Sequence, residues 1–291
     1  MAPRVTVIIA TYNWSSVLRC SIRSVLGQTF TDFELLVVGD GCTDDSAEVV
    51  AGLNDPRVRW INLPANTRHQ SGPNNEGLRQ ARGEIVAYLG HDDLWLPHHL
   101  AVMVRAFDRT ACDLACGFAL NVDSDGGLWA TFPRPLEGRF SAPLAMAHRQ
   151  RVTEEMGGWR HYRELSDAPD HELWQRAQLR GYAFTFVPRL TGIKFPASMR
   201  RGVYRTRAAD QQAEWLARIE REPELEVEAL VQLLVSSGGE SWRGLSYREL
   251  GRNFLRQTWR RVQDRRRLPL LGLASRRRGD LIDQLRRFKG L

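Results

Sequence analysis

The stretch "VAYLGHDDLWLPHH", residues 86–99, is an apolar run that ends at two adjacent carboxylates flanked by histidines. Val86, Ala87, Tyr88 and Leu89 read as a buried strand. Asp92 and Asp93 side by side repel each other unless a cation, a helix end or water separates their charges. The surroundings narrow the choice. Upstream, "RVTVIIA" (4–10), "FELLVVG" (33–39) and "RVRWINL" (57–63) are further β-branched, apolar runs, and "EIVAYLG" (84–90) completes a set of four. Helical patterns separate them. "SSVLRCSIRSVLGQ" places Val17, Leu18, Ile22, Val25 and Leu26 on one face and stops at Gly27. "DDSAEVVAGL" carries acids in its first turn, a short helix is expected around 73–82, and "PHHLAVMVRAFD" supplies another. Strands alternating with helices imply an α/β fold, a mostly parallel sheet with right-handed crossovers and helices on both faces.

Ligands of such sheets bind outside the carboxyl ends of the strands. Three strand ends therefore become comparable. The first ends in "ATYN", which sets Ala10 and Tyr12 at the rim; the second in "VVGDGCTDD", which sets Asp40 there; the fourth in "LGHDD", which brings His91, Asp92 and Asp93. Singly, each has an ordinary explanation as an edge aromatic, a turn or a helix cap. Together they suit a nucleoside diphosphate. An aromatic face stacks on a base, a carboxylate accepts from a base N–H, and a second carboxylate holds a divalent cation on the phosphates. Mg²⁺ needs only one or two protein carboxylates when phosphate and water complete its shell.

The segments "VTVIIATYN", "SIRSVLGQTFTDFELLVVGDGCTDDS", "NNEGLRQARGEIVAYLGHDDLWLPHHL", "GGWR" and "DHELWQRA" occur in an order and spacing that resemble an inverting family 2 glycosyltransferase of GT-A fold, over roughly residues 3–205. The resemblance implies transfer of a sugar from a UDP- or dTDP-linked donor to an acceptor hydroxyl, with Mg²⁺ or Mn²⁺ and inversion at the anomeric carbon. By position, Tyr12 and Asp40 correspond to base contacts, Asp92 to the metal ligand with Asp93 beside it, and Asp170 to the catalytic base. Ala10 and His91 belong to the same nucleotide-binding edge. The chain departs from the family pattern at Gly39, Gly90 and Pro169, each standing where an acid is common. His91 or a water is expected to take over the ribose contact of the acid missing at position 90.

Asp170 lies in the first turn of "SDAPDHELWQRAQLRG", with Ser166 or Asp167 as candidate N-caps and Gly181 as the stop. The helix dipole favours an acid there whatever its role, and also keeps it ionised, as a proton acceptor requires. Additional cations for the diphosphate are expected from "KFPASMRRGVYR" (194–205), with Arg200 and Arg201 as candidates. Ahead of it, "YAFTFVPRLTGIKF" reads as two extended segments meeting at Pro188.

The expected organisation is a catalytic domain over 1–205 and a helical, Arg-rich extension over 206–291. Within the first, 1–122 binds the nucleotide-sugar and 123–205 the acceptor. The net charge of +7 is concentrated in the tail: residues 241–291 hold fifteen Lys or Arg against four Asp or Glu. In "YRELGRNFLRQTWRRVQDRRR", Leu250, Phe254, Leu255, Trp259 and Val262 fall near one face among arginines, a basic amphipathic pattern able to lie on an anionic membrane surface, to pack on the catalytic domain or to mediate a homodimer. No nucleic-acid-binding motif accompanies the charge. Cys20, Cys42, Cys112 and Cys116 form no paired framework and suit buried reduced thiols, and with no signal-peptide pattern or apolar span the expected location is cytoplasmic, peripheral at most to the inner membrane face. Competing functions are weaker. Consecutive His98 and His99 point about 100° apart on a helix and disfavour a zinc hydrolase; no G-x-S-x-G or P-loop pattern occurs. A nucleotidyltransferase on a similar layer, or a degenerate sugar-nucleotide-binding or membrane-docking protein, is the alternative.

Overall fold

The computed structural model describes residues 2–131, 142–165 and 168–238. Ser166, Asp167 and the basic tail beyond 238 therefore lie outside the described residues, and with them the expected N-caps and the amphipathic segment.

The first half agrees with the expected strands one by one. β1 (Val5–Thr11), β2 (Phe33–Gly39), β3 (Val58–Asn62) and β4 (Ile85–Gly90) lie in the order β3-β2-β1-β4, all parallel. α1 (Ser15–Leu26), α2 (Ser46–Ala51) and α3 (Ser71–Gln80) make the crossovers. A strand's side chains alternate between faces, and the core divides accordingly. Val5, Val7 and Ile9 join Leu18, Ile22 and Val25 of α1 on one face, together with Leu100, Met103 and Phe107 of α4 (His99–Arg109). Ile8, Leu36, Val86 and Tyr88 face the opposite layer, built from α5 (Gln150–Met156), Trp159 and α6 (Pro169–Leu179).

Beyond β4 the sheet becomes mixed. A two-residue β5 (Leu94–Trp95) precedes α4, followed by β6 (Leu114–Val122), β7 (Leu128–Thr131), β8 (Met146–Arg149) and β9 (Phe184–Lys194). The full order is β3-β2-β1-β4-β8-β6-β9-β5, with β7 on β6. β8 runs antiparallel between β4 and β6, while β6 and β9 are parallel. The two extended segments expected around Pro188 are one strand, β9; the register of its pairing with β6 shifts around Phe118.

The chain then forms α7 (Val203–Thr206), α8 (Asp210–Arg221) and α9 (Leu225–Gly238). Trp215, Leu216, Leu225 and Ala229 pack into a third apolar cluster with Leu94, Phe118, Leu120, Leu190, Ile193 and Phe195, so these helices share a core with the last strands. All four cysteines are free and buried. No described helix is long and apolar enough to cross a membrane.

Candidate functional site

A cleft of about 210 Å³ opens at the carboxyl edge of the parallel strands. Ala10, Tyr12, Asp40, His91, Asp92 and Asp93 all line it. The three strand ends singled out in the sequence therefore converge, as the parallel register dictates: Ala10 pairs with Val38 on one side and Gly90 on the other.

Each acid has a distinct setting. Asp40 is buried, and its Oδ1 accepts from the Thr67 amide at 2.8 Å and the Thr67 hydroxyl at 2.7 Å. Among the described residues its Oδ2 accepts no hydrogen bond, so one oxygen anchors the residue and the other is available. Asp93 is 2% exposed and fully committed, Oδ2 to Lys194 Nζ at 3.2 Å and Oδ1 to the Phe195 amide at 3.0 Å. Asp92 is half-buried, and among the described residues its carboxylate has no hydrogen-bond partner; only its backbone carbonyl is used, accepting from Gln212 at 3.3 Å.

Gly90 explains the spacing. A Cβ there would lie 2.7 Å from Asp93 Oδ2 and 3.1 Å from Asp92 Oδ1. With Asp93 pinned by β9, the first of these contacts has no room to relax. Bare backbone at position 90 thus allows close packing of the next two acids.

His91 is buried between Trp14, 5.5 Å away edge-on, and Tyr204. Its Nδ1 pairs with Thr11 Oγ1 at 2.9 Å, its Nε2 with the Tyr204 hydroxyl at 3.5 Å, and its carbonyl accepts from Ser21 at 2.6 Å. Burial depresses its pKa against the opposing charges of Asp92 and Asp44, which favours a neutral ring. Both nitrogens are thus engaged within the protein.

Asp170 occupies the second position of α6, half-buried and outside the lining of the cleft. It is near enough to Lys194, which does line the cleft, to act on its charge. Burial pushes the Lys194 ammonium down, and the negative charges of Asp93, Asp92 and Asp170 outweigh that, so its pKa is raised. Lys194 is accordingly a cation bonded to Asp93 and felt by the charges of Asp92 and Asp170. Nothing in its local sequence marks it above the arginines that follow.

Neither Arg200 nor Arg201 lines the cleft. Arg200 donates to the Val122 carbonyl at 3.1 Å and to Gln211 at 2.5 Å and covers the Phe195 ring; burial lowers its pKa against the opposing charges of Asp92, Asp93 and Asp123. Arg201 is exposed. From the same segment it is Tyr204 that reaches the cleft, held by Val203 packed on Trp14 and Val17. Asn66, Arg68 and His69 of the loop between β3 and α3, with Asn74 of α3, form a further wall; the loop residues gave no signal in the sequence because they follow no periodicity.

Among the described residues no three His, Cys, Asp or Glu side chains cluster as a closed metal site. The donor set fits a hard divalent ion held by a single protein carboxylate, Asp92, with ligand oxygens and water for the rest.

The profile of glycosyl transferase family 2 matches residues 6–182. A Campylobacter jejuni relative, GalNAc(5)-diNAcBac-PP-undecaprenol beta-1,3-glucosyltransferase, is 35% identical over 108 residues, covering 35% of this chain and 34% of that protein. The match spans about a third of the length of the curated relatives, 34–35% in each of the first three. TarS of S. aureus, solved as residues 1–349 with UDP-GlcNAc, superposes with a TM-score of 0.59 at 18% identity over 83% of this chain and 76% of that one. The Pyrobaculum calidifontis mannosyltransferase PcManGT, solved with GDP-Man and Mn2+, does so at 0.55 with 20% identity over 81% and 70%. The fold is of the GT-A type these structures share, and the chain belongs to glycosyl transferase family 2.

Proposed function

We propose that this chain is an inverting glycosyltransferase that moves a sugar from a nucleotide diphosphate donor, UDP- or dTDP-linked, to an acceptor hydroxyl. The observation that carries the reading is the convergence of Tyr12, Asp40 and Asp92 from three parallel strands on one cleft. The donor class is supported by the UDP-GlcNAc and GDP-Man complexes of the two structural relatives.

In this reading Ala10 and Tyr12 flank the base and the outer oxygen of Asp40 accepts its N–H. Asp92 holds Mg²⁺ or Mn²⁺, which when bound supplies charge stabilisation to the departing diphosphate. Asp93 supports the site by holding Lys194 at the cleft, where the ammonium adds a fixed positive charge. His91 serves as floor, and Arg200 holds the 195–209 segment in place through Val122 and Gln211. Asp170 takes the acceptor hydroxyl's proton as the new C–O bond forms. The anomeric carbon–phosphate oxygen bond breaks with its electron pair leaving on the diphosphate.

The change of role at residue 205 does not require an independently folding unit, since α8 and α9 share the core of β6 and β9. The basic tail, which follows the exposed Val227, Val231 and Val235 of α9, is proposed to touch an anionic membrane surface. Liposome flotation with and without residues 241–291 tests that contact, and equal flotation removes it. For the activity, a thermal-shift screen of nucleotide sugars with and without Mn²⁺ should give metal-dependent stabilisation by a uridine or thymidine diphosphate sugar. No shift with any nucleoside diphosphate would overturn the reading.

A further inference from the structure

The "GGWR" motif (157–160) contributes no residue to the cleft, yet it is held by side chains from two helices. On one side stands Arg176 of α6, 8% exposed, with all five of its N–H donors spent. Nη1 donates to the carbonyls of Met156 at 2.6 Å and Gly157 at 3.0 Å, and Nη2 to that of Gly158 at 2.7 Å. Nε and Nη2 grip the two oxygens of Glu172 at 2.8 and 3.2 Å. On the other side stands α3. Asn75 closes a reciprocal pair with Trp159, each bond 2.8 Å, and Ser71 donates to the Arg160 carbonyl at 2.8 Å.

The two glycines are dictated by this clamp. Gly157 has φ +77°, a conformation costly for residues with a Cβ. At Gly158 a Cβ would meet Asn75 Oδ1 at 2.2 Å. Trp159 then buries its ring edge-on against Tyr88, 5.1 Å away, whose own ring lines the cleft.

The elements joined by the turn are the two that matter for transfer. α3 carries Pro73 and Asn74 of the cleft wall; α6 carries Asp170, two residues before Glu172 and on the helix that Arg176 anchors. We propose that Arg176 and the Gly157–Trp159 turn form a rigid brace that sets Asp170 at a fixed distance from the donor wall, which makes Arg176 a positioning residue for the reaction. The inference rests on Asp170 being the base. The planar guanidinium is needed because three carbonyls and a carboxylate must be met at once, and an ammonium has three donors on a flexible stem.

The test compares Arg176→Met and Arg176→Lys with the wild type by two readouts. Hydrogen exchange reports the brace itself. Amides of residues 156–160 should lose protection in both variants while β1 and β2 keep theirs; unchanged protection overturns the brace. Release of UDP from UDP-glucose or UDP-N-acetylglucosamine with Mn²⁺, whichever stabilises the wild type more, reports its consequence. Turnover should fall on the order of tenfold to a hundredfold with donor KM little changed, as for a misplaced catalytic group. In an Asp170→Asn background, Arg176→Met should then cost nothing further. A multiplied loss in the double variant contradicts action through Asp170. Normal turnover of Asp170→Asn alone removes the base assignment, and the exchange result still judges the brace. Should Arg176→Met fail to fold, Asn75→Ala releases the opposite side of the turn and should give the same loss of protection and turnover.

Discussion

The two ends of the parallel sheet each bury a carboxylate and treat it differently. At the amino edge, Glu34 is 2% exposed and both oxygens are saturated: Oε1 by Thr6 Oγ1 and the Arg82 amide, each at 2.8 Å, and Oε2 by the Arg82 guanidinium at 2.9 and 2.7 Å. Burial pushes that carboxyl up, the bonds from Arg82 and Thr6 outweigh it, and its pKa ends below the ordinary value. At the carboxyl edge, Asp40 has one oxygen held and Asp92 neither, among the described residues. Buried polar groups in folded proteins are almost always satisfied. An acid with every lone pair used is structure; an acid left open at the mouth of a cleft is the kind the proposed donor site needs.

That contrast can be broken in order of expected effect. Asp170→Asn, removing the α6 carboxylate that acts on Lys194 of the open end, should lower turnover at least about a hundredfold, the scale of a lost general base, while donor affinity measured by calorimetry stays put. Undiminished turnover would remove Asp170 from the chemistry. At the closed end, Glu34→Gln should do the reverse. Chemical denaturation should show a loss on the order of 1–3 kcal/mol from the disrupted buried bonds, with unaltered nucleotide binding. Weakened binding at equal stability would mean that the two ends are not separate in role.

A smaller effect sharpens the same rule inside the core. His99 is completely buried, stacked on Trp95 at 4.0 Å, and among the described residues neither ring nitrogen has a partner. Burial depresses its pKa to about 3, and that of His148 to about 4. Both are neutral when folded, and both bind a proton more readily when unfolded. Stability is therefore complete above about pH 6.5, the unfolded value, and is lost progressively as pH falls through about 4 and 3. His99→Phe should keep the stack and flatten that acid limb. It should also add about 1 kcal/mol at neutral pH by removing two unsatisfied polar atoms. An unchanged pH profile would show that His99 is not what titrates.

The parallel half of the fold is legible in the sequence because each strand there is apolar and ends in a polar break, so the three strand ends at Tyr12, Asp40 and Asp92 align from the residues alone. The mixed half is not. β6, "LACGFALNV", is buried at every position and so carries no alternation to mark it, and its alanines and glycine are poor strand formers. β8 is four residues long and owes its conformation to pairing with β4 and β6, contacts distant in sequence. Lys194 is hidden for the same reason: its value comes from Asp93, about a hundred residues away, while Arg200 and Arg201 draw attention by local charge alone. Gly90 is visible as a departure from the family pattern. Its cause, the approach of Asp93 to within 2.7 Å of where a Cβ would sit, belongs to tertiary structure.

The proposed role of the open carboxylate at the end of β4 is to hold a divalent ion for a nucleoside diphosphate. Titration of UDP into the wild type and Asp92→Asn by calorimetry, with Mn²⁺ and with chelator, tests it directly. Binding that needs Mn²⁺ in the wild type and is lost in Asp92→Asn is the predicted result. Equal binding by both proteins with or without the ion, or no binding by either, would contradict it.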